Sequence, residues 1–222
     1  MSQPNAFCPN CGAPVRFLWS SAVQTTCEFC KSILVRSDLD IRKVGEVADL
    51  PPDASPIQIL TEGNWRGRGF QVIGRIIYEF ELGVWNEWHA VFSDGSSGWI
   101  SDAQASYAIS FLQPPQPLPS PSEAYRGAHF NFGGIDFEVT TRTQARYRGV
   151  QGELPFQFWD KTQVSFIDMR TRTGQFGTLD YSENPPLLFI GESVPYEELN
   201  LKNVREFEGW TLTGQATSGG RY

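Results

Sequence analysis

The chain has four cysteines, arranged as two Cys-x-x-Cys pairs, Cys8-Pro9-Asn10-Cys11 and Cys27-Glu28-Phe29-Cys30. Each pair can turn two sulfurs toward one point, and the fifteen residues between the pairs suit one tetrahedral ion held by four thiolates, a Zn2+ ion by ligand preference. Four thiolates leave no open coordination position, so the expected role is structural: metal bonds replace the hydrophobic core that so short a segment cannot build. Gly12 is expected to take a positive φ so that the first knuckle can fold back. Disulfide or redox chemistry is the alternative, and disulfides would need an oxidising compartment. Such ribbons serve nucleic-acid and protein partners alike, so the cysteines alone do not choose between them.

A second group of chemically capable residues is the run Trp85-Asn86-Glu87-Trp88-His89. Two indoles beside a carboxylate can form an aromatic slot for an organic cation such as a polyamine. Strand alternation puts Trp88, Ala90 and Phe92 on one face and Trp85, Glu87, His89 and Val91 on the other, so one indole belongs to a core and the other stands with the acid and the imidazole. Core and cross-strand packing is the first reading of this run. A ligand or partner face made of Trp85, Glu87 and His89 is the second. Neither His89 nor His129 has a neighbouring Ser, Cys or paired acid in sequence, so no nucleophile-and-base arrangement is expected. Arg142, Arg146 and Arg148 share parity along one expected strand, and Arg170 and Arg172 share parity along another. They could make a face for an anion or an acidic partner, or a solvated surface that discourages edge pairing. Tyr147 has the wrong parity to stack bases on that face.

These residues must be positioned mainly by strands. Sixteen Phe, seven Trp and seven Tyr interspersed with 21 Gly and 15 Pro favour short strands and turns over long helices. The net charge of -7 weighs against nucleic acid and anionic lipid as partners. The first five residues lack the basic and apolar regions of a leader, and no run of about 18 apolar residues occurs, so a cytoplasmic protein without a membrane span is expected. The chain divides into a zinc ribbon (1–36), a linker (37–56), a first β module (57–112), a Pro-rich connector (113–122), a second β module (123–191) and a C-terminal extension (192–222). In the first module Phe70, Val72, Ile76, Tyr78 and Phe80 share one parity and are expected on one sheet face. The second module echoes the first: Phe70-Gln71-Val72 by Phe137-Glu138-Val139, Gly98-Trp99 by Phe176-Gly177, and residues 107–111 by 187–190. Duplication is the expectation, although any two aromatic meanders share such features. In the extension, a short helix over 195–199 and an anchoring Trp210 are expected.

The stretch from Gly69 to Tyr78, with Gly83-Val84-Trp85-Asn86-Glu87-Trp88, Phe92-Ser93-Asp94-Gly95 and Gly98-Trp99-Ile100-Ser101-Asp102-Ala103-Gln104, resembles the bacterial domain of unknown function family 4178. The resemblance implies a preceding zinc ribbon, as at 8–30, and a Gly where this chain has Ala105; it implies no activity. The fold class is thus mainly β, a four-cysteine zinc ribbon plus two related antiparallel barrel-like or sandwich-like modules, with ribbon and β body each folding without the other. The functional expectation is a non-enzymatic adaptor with a protein partner. The runner-up is a binder of a polyamine-like cation, and an enzyme comes third.

Overall fold

The computed structural model describes residues 6–37, 40–47, 54–157 and 163–206. The ribbon contains β1 (Ala6–Phe7), β2 (Pro14–Val15), β3 (Gln24–Thr26), β4 (Ser32–Ser37) and β5 (Asp40–Glu46). The first β module supplies β6 (Glu62–Trp65), β7 (Arg68–Phe80), β8 (Gly83–Phe92), β9 (Ser97–Ala103) and β10 (Ser106–Leu112). The second supplies β11 (His129–Phe132), β12 (Ile135–Gly152), β13 (Val164–Arg170), β14 (Gln175–Asp180) and β15 (Leu187–Val194).

A meander leaves two edges of unpaired N–H and C=O groups, which must be paired or shielded. Strands β7 to β10 form one meander and β12 to β15 another, and each lends its edges to the other. β10 pairs antiparallel with β15, and β7 with β12, so the eight strands close into a barrel. The two expected modules are these meanders, and they complete one barrel between them instead of closing separately. The connector over 113–122 therefore joins two halves of one sheet. Gln113 N donates to Leu188 O at 2.8 Å, and Pro119 O accepts from Tyr181 Oη at 2.8 Å.

The halves repeat one another in backbone detail. Leu60 N donates to Val72 O and Val72 N to Thr61 O; in the second half Gly127 N donates to Val139 O and Val139 N to Ala128 O. The hairpins turn identically, with Asn64 Oδ1 accepting from Gly67 N at 3.0 Å and Asn131 Oδ1 from Gly134 N at 3.1 Å. Phe70 thus corresponds to Phe137. The cross-strand series Gly74, His89, Trp99 corresponds to Thr141, Asp168, Thr178, so Trp99 falls at Thr178 and Gly98 at Gly177.

Bulges at Val72/Gly74 and Val139/Thr141 interrupt both long strands at equivalent points. A bulge shifts side-chain parity, so Phe70 and Val72 do not share a face with Ile76 and Tyr78, contrary to the single face read from alternation. Phe70 and Val72 join Trp88, Phe92, Ile100 and Ile109 in a core on the outer face of the first meander, covered by Ile57 and Leu199. Phe137, Val139, Ile167, Met169 and Leu179 form the counterpart on the second, beneath Ala124 and Ala128. Ile76, Tyr78, Trp99, Ala145, Val164 and Phe166, drawn from both meanders, fill the space between as the barrel interior. Eight strands enclose a lumen that side chains can nearly fill.

The ribbon reaches further than its sequence suggests. β5 lies in the stretch read as a linker and pairs with β4, because two apolar residues among its charged ones, three positions apart, face opposite sides and two cores: Ile41 packs against the cysteine unit, and Val44, with Val47 just beyond the strand, packs against the barrel interior. The linker prolines Pro51 and Pro52 lie outside the described residues, as does Trp210. Ile33 also joins the interior cluster, so ribbon and barrel share a core. That departs from the expected independence of the two units. The helical expectation over 195–199 is met by a single 3-10 turn, Tyr196–Leu199, which buries Leu199.

The turn between β9 and β10 holds Gln104 at φ 51° and Ala105 at φ 62°, a left-handed pair that glycine adopts more readily than alanine. Ala105→Gly should raise stability by about 1 kcal/mol, whereas Trp88→Ala, at a side chain 1% exposed, should cost about 3 to 5 kcal/mol. Urea unfolding of both variants checks the pair.

Candidate functional site

Two places converge chemically capable side chains. In the first, both cysteine knuckles have the same backbone frame. Cys8 N donates to Ala13 O and Gly12 N to Cys8 O; Cys27 N donates to Ser32 O and Lys31 N to Cys27 O. Gly12 takes φ 74°, as expected, and its counterpart Lys31 takes φ 59° with a full side chain. All four Sγ atoms lie within 4.8 Å of one another, with Cys8 to Cys30 at 3.6 Å and Cys11 to Cys27 at 3.8 Å. A tetrahedral ion bonded to sulfur at about 2.3 Å sets its ligands about 3.8 Å apart, so this donor set fits a four-thiolate metal centre. Cys8 and Cys27 are buried and Cys11 is exposed.

The second place is the barrel interior. β8 puts Trp85, Glu87 and His89 on one face and Trp88 on the other, the division that alternation expects; the first face is the barrel interior, and Trp88 packs in the outer core. The Glu87 carboxylate accepts from Trp85 Nε1 at 3.0 Å and from Ser101 Oγ at 2.8 and 3.0 Å. Trp85 stacks on Tyr78 with ring centroids 5.0 Å apart. A cavity of about 60 Å3 lies beside Glu87, bounded by Tyr78, Trp99, Ser101, Phe166, Thr178, Asp180 and Phe189. It adjoins a wider mouth of about 350 Å3 that shares Tyr78, Trp99, Phe156, Asp180 and Phe189 and adds Glu183 and Leu187. Among the described residues, neither space is lined by Lys, Arg or His.

Burial governs the electrostatics here. It pushes the Glu87 carboxyl up to about 8; hydrogen bonds from Ser101 and Trp85 oppose the shift, and the Asp168 and Asp180 charges add to it. Burial likewise raises Asp168, against a hydrogen bond from Thr178. His89 is pulled down to about 4 by burial and is neutral at pH 7. Its Nδ1 lies 2.9 Å from Glu153 O, which can only accept, so Nδ1 carries the proton and Nε2 accepts from Ser97 Oγ at 3.1 Å. With Trp19 and Trp99 each 5.1 Å from its ring, His89 is held between ribbon and barrel, away from Glu87's cavity.

The arginines are not gathered into one group. Arg146 and Arg148 reach Glu79 at 3.2 and 3.8 Å, Arg142 acts electrostatically on Tyr181, Arg170 lies over Phe176 and donates to Ser193 Oγ, and Arg172 is exposed. Arg146 and Arg148 thus stay on one side, both at Glu79, while Tyr147, the register partner of Tyr78, lies on the other face with centroids 6.4 Å apart. The residues missed in sequence are Tyr78, Trp99, Ser101, Thr178 and Asp180. Alternation could place Trp99 with Ser101, and Thr178 with Asp180, but only strand order brings the two pairs to one lumen.

Fold and site define a closed antiparallel barrel with an acidic, aromatic interior cavity, carrying a four-cysteine ribbon docked against it. The chain belongs to the family described as Domain of unknown function (DUF4178), whose model matches residues 59–196, all of both meanders and none of the ribbon. No curated protein and no solved structure matches the chain. No helix among the described residues is long and apolar enough to cross a membrane.

The shifted groups set the pH dependence of stability. Glu87 binds its proton more tightly in the folded than in the unfolded state, so its contribution is present below about pH 4.5 and is lost as pH rises through about 8. His89 acts oppositely: its contribution is present above about pH 6.5 and is lost as pH falls through about 4. Urea midpoints followed from pH 4 to 9 should fall on both sides. Glu87→Gln should remove most of the alkaline fall, on the order of a few kcal/mol, and leave the acid fall in place.

Proposed function

We propose that the protein binds a small alkylammonium ion in the barrel lumen, with Glu87 as its counter-ion, and that the ribbon holds one structural Zn2+ through Cys8, Cys11, Cys27 and Cys30. The observation that carries the first part is the pairing of a buried carboxylate with aromatic walls and, among the described residues, the absence of a basic one from the lining. An ammonium group is attracted both by ionised carboxylates and by the ring faces of Tyr78, Trp99 and Phe166. An anion would hold Glu87 in its protonated form and gain nothing from the carboxylate. A neutral guest would likewise leave Glu87 protonated and make no use of its charge. The runner-up of the sequence reading thereby becomes the leading one, with Trp85 orienting Glu87 through its indole N–H instead of walling the slot.

Binding a cation ionises Glu87, and the displaced proton leaves to solvent. Affinity for methylammonium should therefore rise about tenfold per pH unit from pH 6 to 8 and level off above it. Titration calorimetry should find that slope in the wild type and none in Glu87→Gln. Saturating methanol, equal in size but uncharged, should give no heat. Absence of methylammonium binding at pH 8.5 would sink the reading. For the ribbon, elemental analysis should find about one zinc per chain and its loss in Cys27→Ala, which leaves three thiolates.

The adaptor reading keeps one supporting observation. Phe7 and Phe29, in the knuckles beside Cys8 and Cys30, are 63% and 69% exposed, and exposed aromatics favour protein contacts. Under that reading a cytoplasmic protein recovered with the wild type should be lost with the Phe7→Ser, Phe29→Ser variant at unchanged zinc content.

A further inference from the structure

We infer that the metal-held ribbon fastens a strap, residues 153–156, across the mouth of the barrel, so that the metal controls access to the lumen. What the strap admits rests on the lumen reading above; its fastening does not.

Where β12 ends at Gly152, the chain crosses over β7. Glu153 N donates to Ile73 O at 2.7 Å, and Gly74 permits the crossing, since a Cβ there would lie 1.9 Å from Glu153 O. Glu153 is 3% exposed, and its carboxylate accepts from Leu18 N at 2.5 Å and from Trp19 N at 2.9 Å. Leu154 N donates to Gln24 O at 2.9 Å, and Leu154 O accepts from Val23 N and Gln24 N at 3.0 and 3.2 Å. Beyond these fastenings, Pro155 and Phe156 line the mouth, and Phe156, stacked 5.8 Å from Trp99, also bounds the inner cavity.

The ribbon atoms in these bonds belong to Leu18, Trp19, Val23 and Gln24, all between Cys11 and Cys27. That span is the one closed into a loop when a single ion takes up both knuckles. Without the ion its ends are free to separate, and the backbone pairing at Gln24 and the two donors on Glu153 lose the geometry that aligns them. The strap then retains its attachments to the barrel, among them Ile73 O, the His89 imidazole and the stack of Phe156 on Trp99.

Amide hydrogen exchange on the whole protein tests the fastening in three forms: zinc-loaded, chelator-stripped, and zinc-loaded Glu153→Gln. Stripping should speed exchange at Val23, Gln24 and Leu154 at least tenfold, with β13 and β14 unchanged. Should stripping unfold the barrel as well, the zinc-loaded Glu153→Gln protein decides. Gln has one oxygen to accept two N–H groups, so faster exchange at Leu18, Trp19 and Leu154 supports the strap and unaltered exchange overturns it. Stopped-flow mixing with methylammonium then reads access. Faster association in the loosened forms supports control by the metal, and equal rates in all forms overturn it while leaving the lumen reading intact. Loosened amides with no methylammonium binding in any form would refute the lumen reading and leave the fastening standing.

Discussion

The constraint on which this structure depends is the pairing of meander edges. Neither half can satisfy its own edge strands, and each finds in the other an antiparallel partner, β10 for β15 and β7 for β12. Closure removes the exposed edges that would otherwise invite aggregation. It also creates a lumen, because each sheet face turned away from an outer core now faces its equivalent across the barrel. The paired bulges in β7 and β12 let one strand serve both environments, an outer core near its start and the interior near its end.

The two-fold repetition of the backbone is not repeated in the side chains of the lumen. Glu87 stands opposite Ser101 in the β8 and β9 register, and the equivalent positions in β13 and β14 hold Phe166 and Asp180. The cavity lining thus takes one carboxylate from each half, at non-equivalent sites. Acids in a buried interior are costly, and the charges of Asp168 and Asp180 raise the proton affinity of Glu87 further. A core serving only stability would be better filled with apolar groups. The acids with their hydroxyl and indole donors are the part of the interior that stability leaves unexplained.

The ribbon meets this barrel through polar bonds with little slack. A buried carboxylate on two backbone donors, a neutral imidazole on a backbone carbonyl and a short main-chain pairing all meet around Glu153 and Leu154. Buried polar groups of this kind lose more when one partner leaves than they contribute when paired. The metal centre and the cavity, about which the sequence offers two unrelated stories, are therefore joined by a few residues of continuous hydrogen bonding.

Much of this was legible in the residues. The spacing of Cys8, Cys11, Cys27 and Cys30 determines a four-sulfur centre because ligand geometry is local. Alternation in β8 separates Trp88 from Trp85, Glu87 and His89 because strand period is local too. The echo of Phe70 in Phe137 marks the repeat for the same reason. Local pattern could not decide that the two halves share one barrel, that the bulges divide Phe70 from Tyr78, or that Asp180 comes to the cavity beside Glu87. Nor could it show that polar β5 belongs to the ribbon or that Glu153 is its anchor. Those outcomes depend on which edges pair and in what register, and residues far apart in the chain meet only once backbone groups across the whole sheet have been satisfied together.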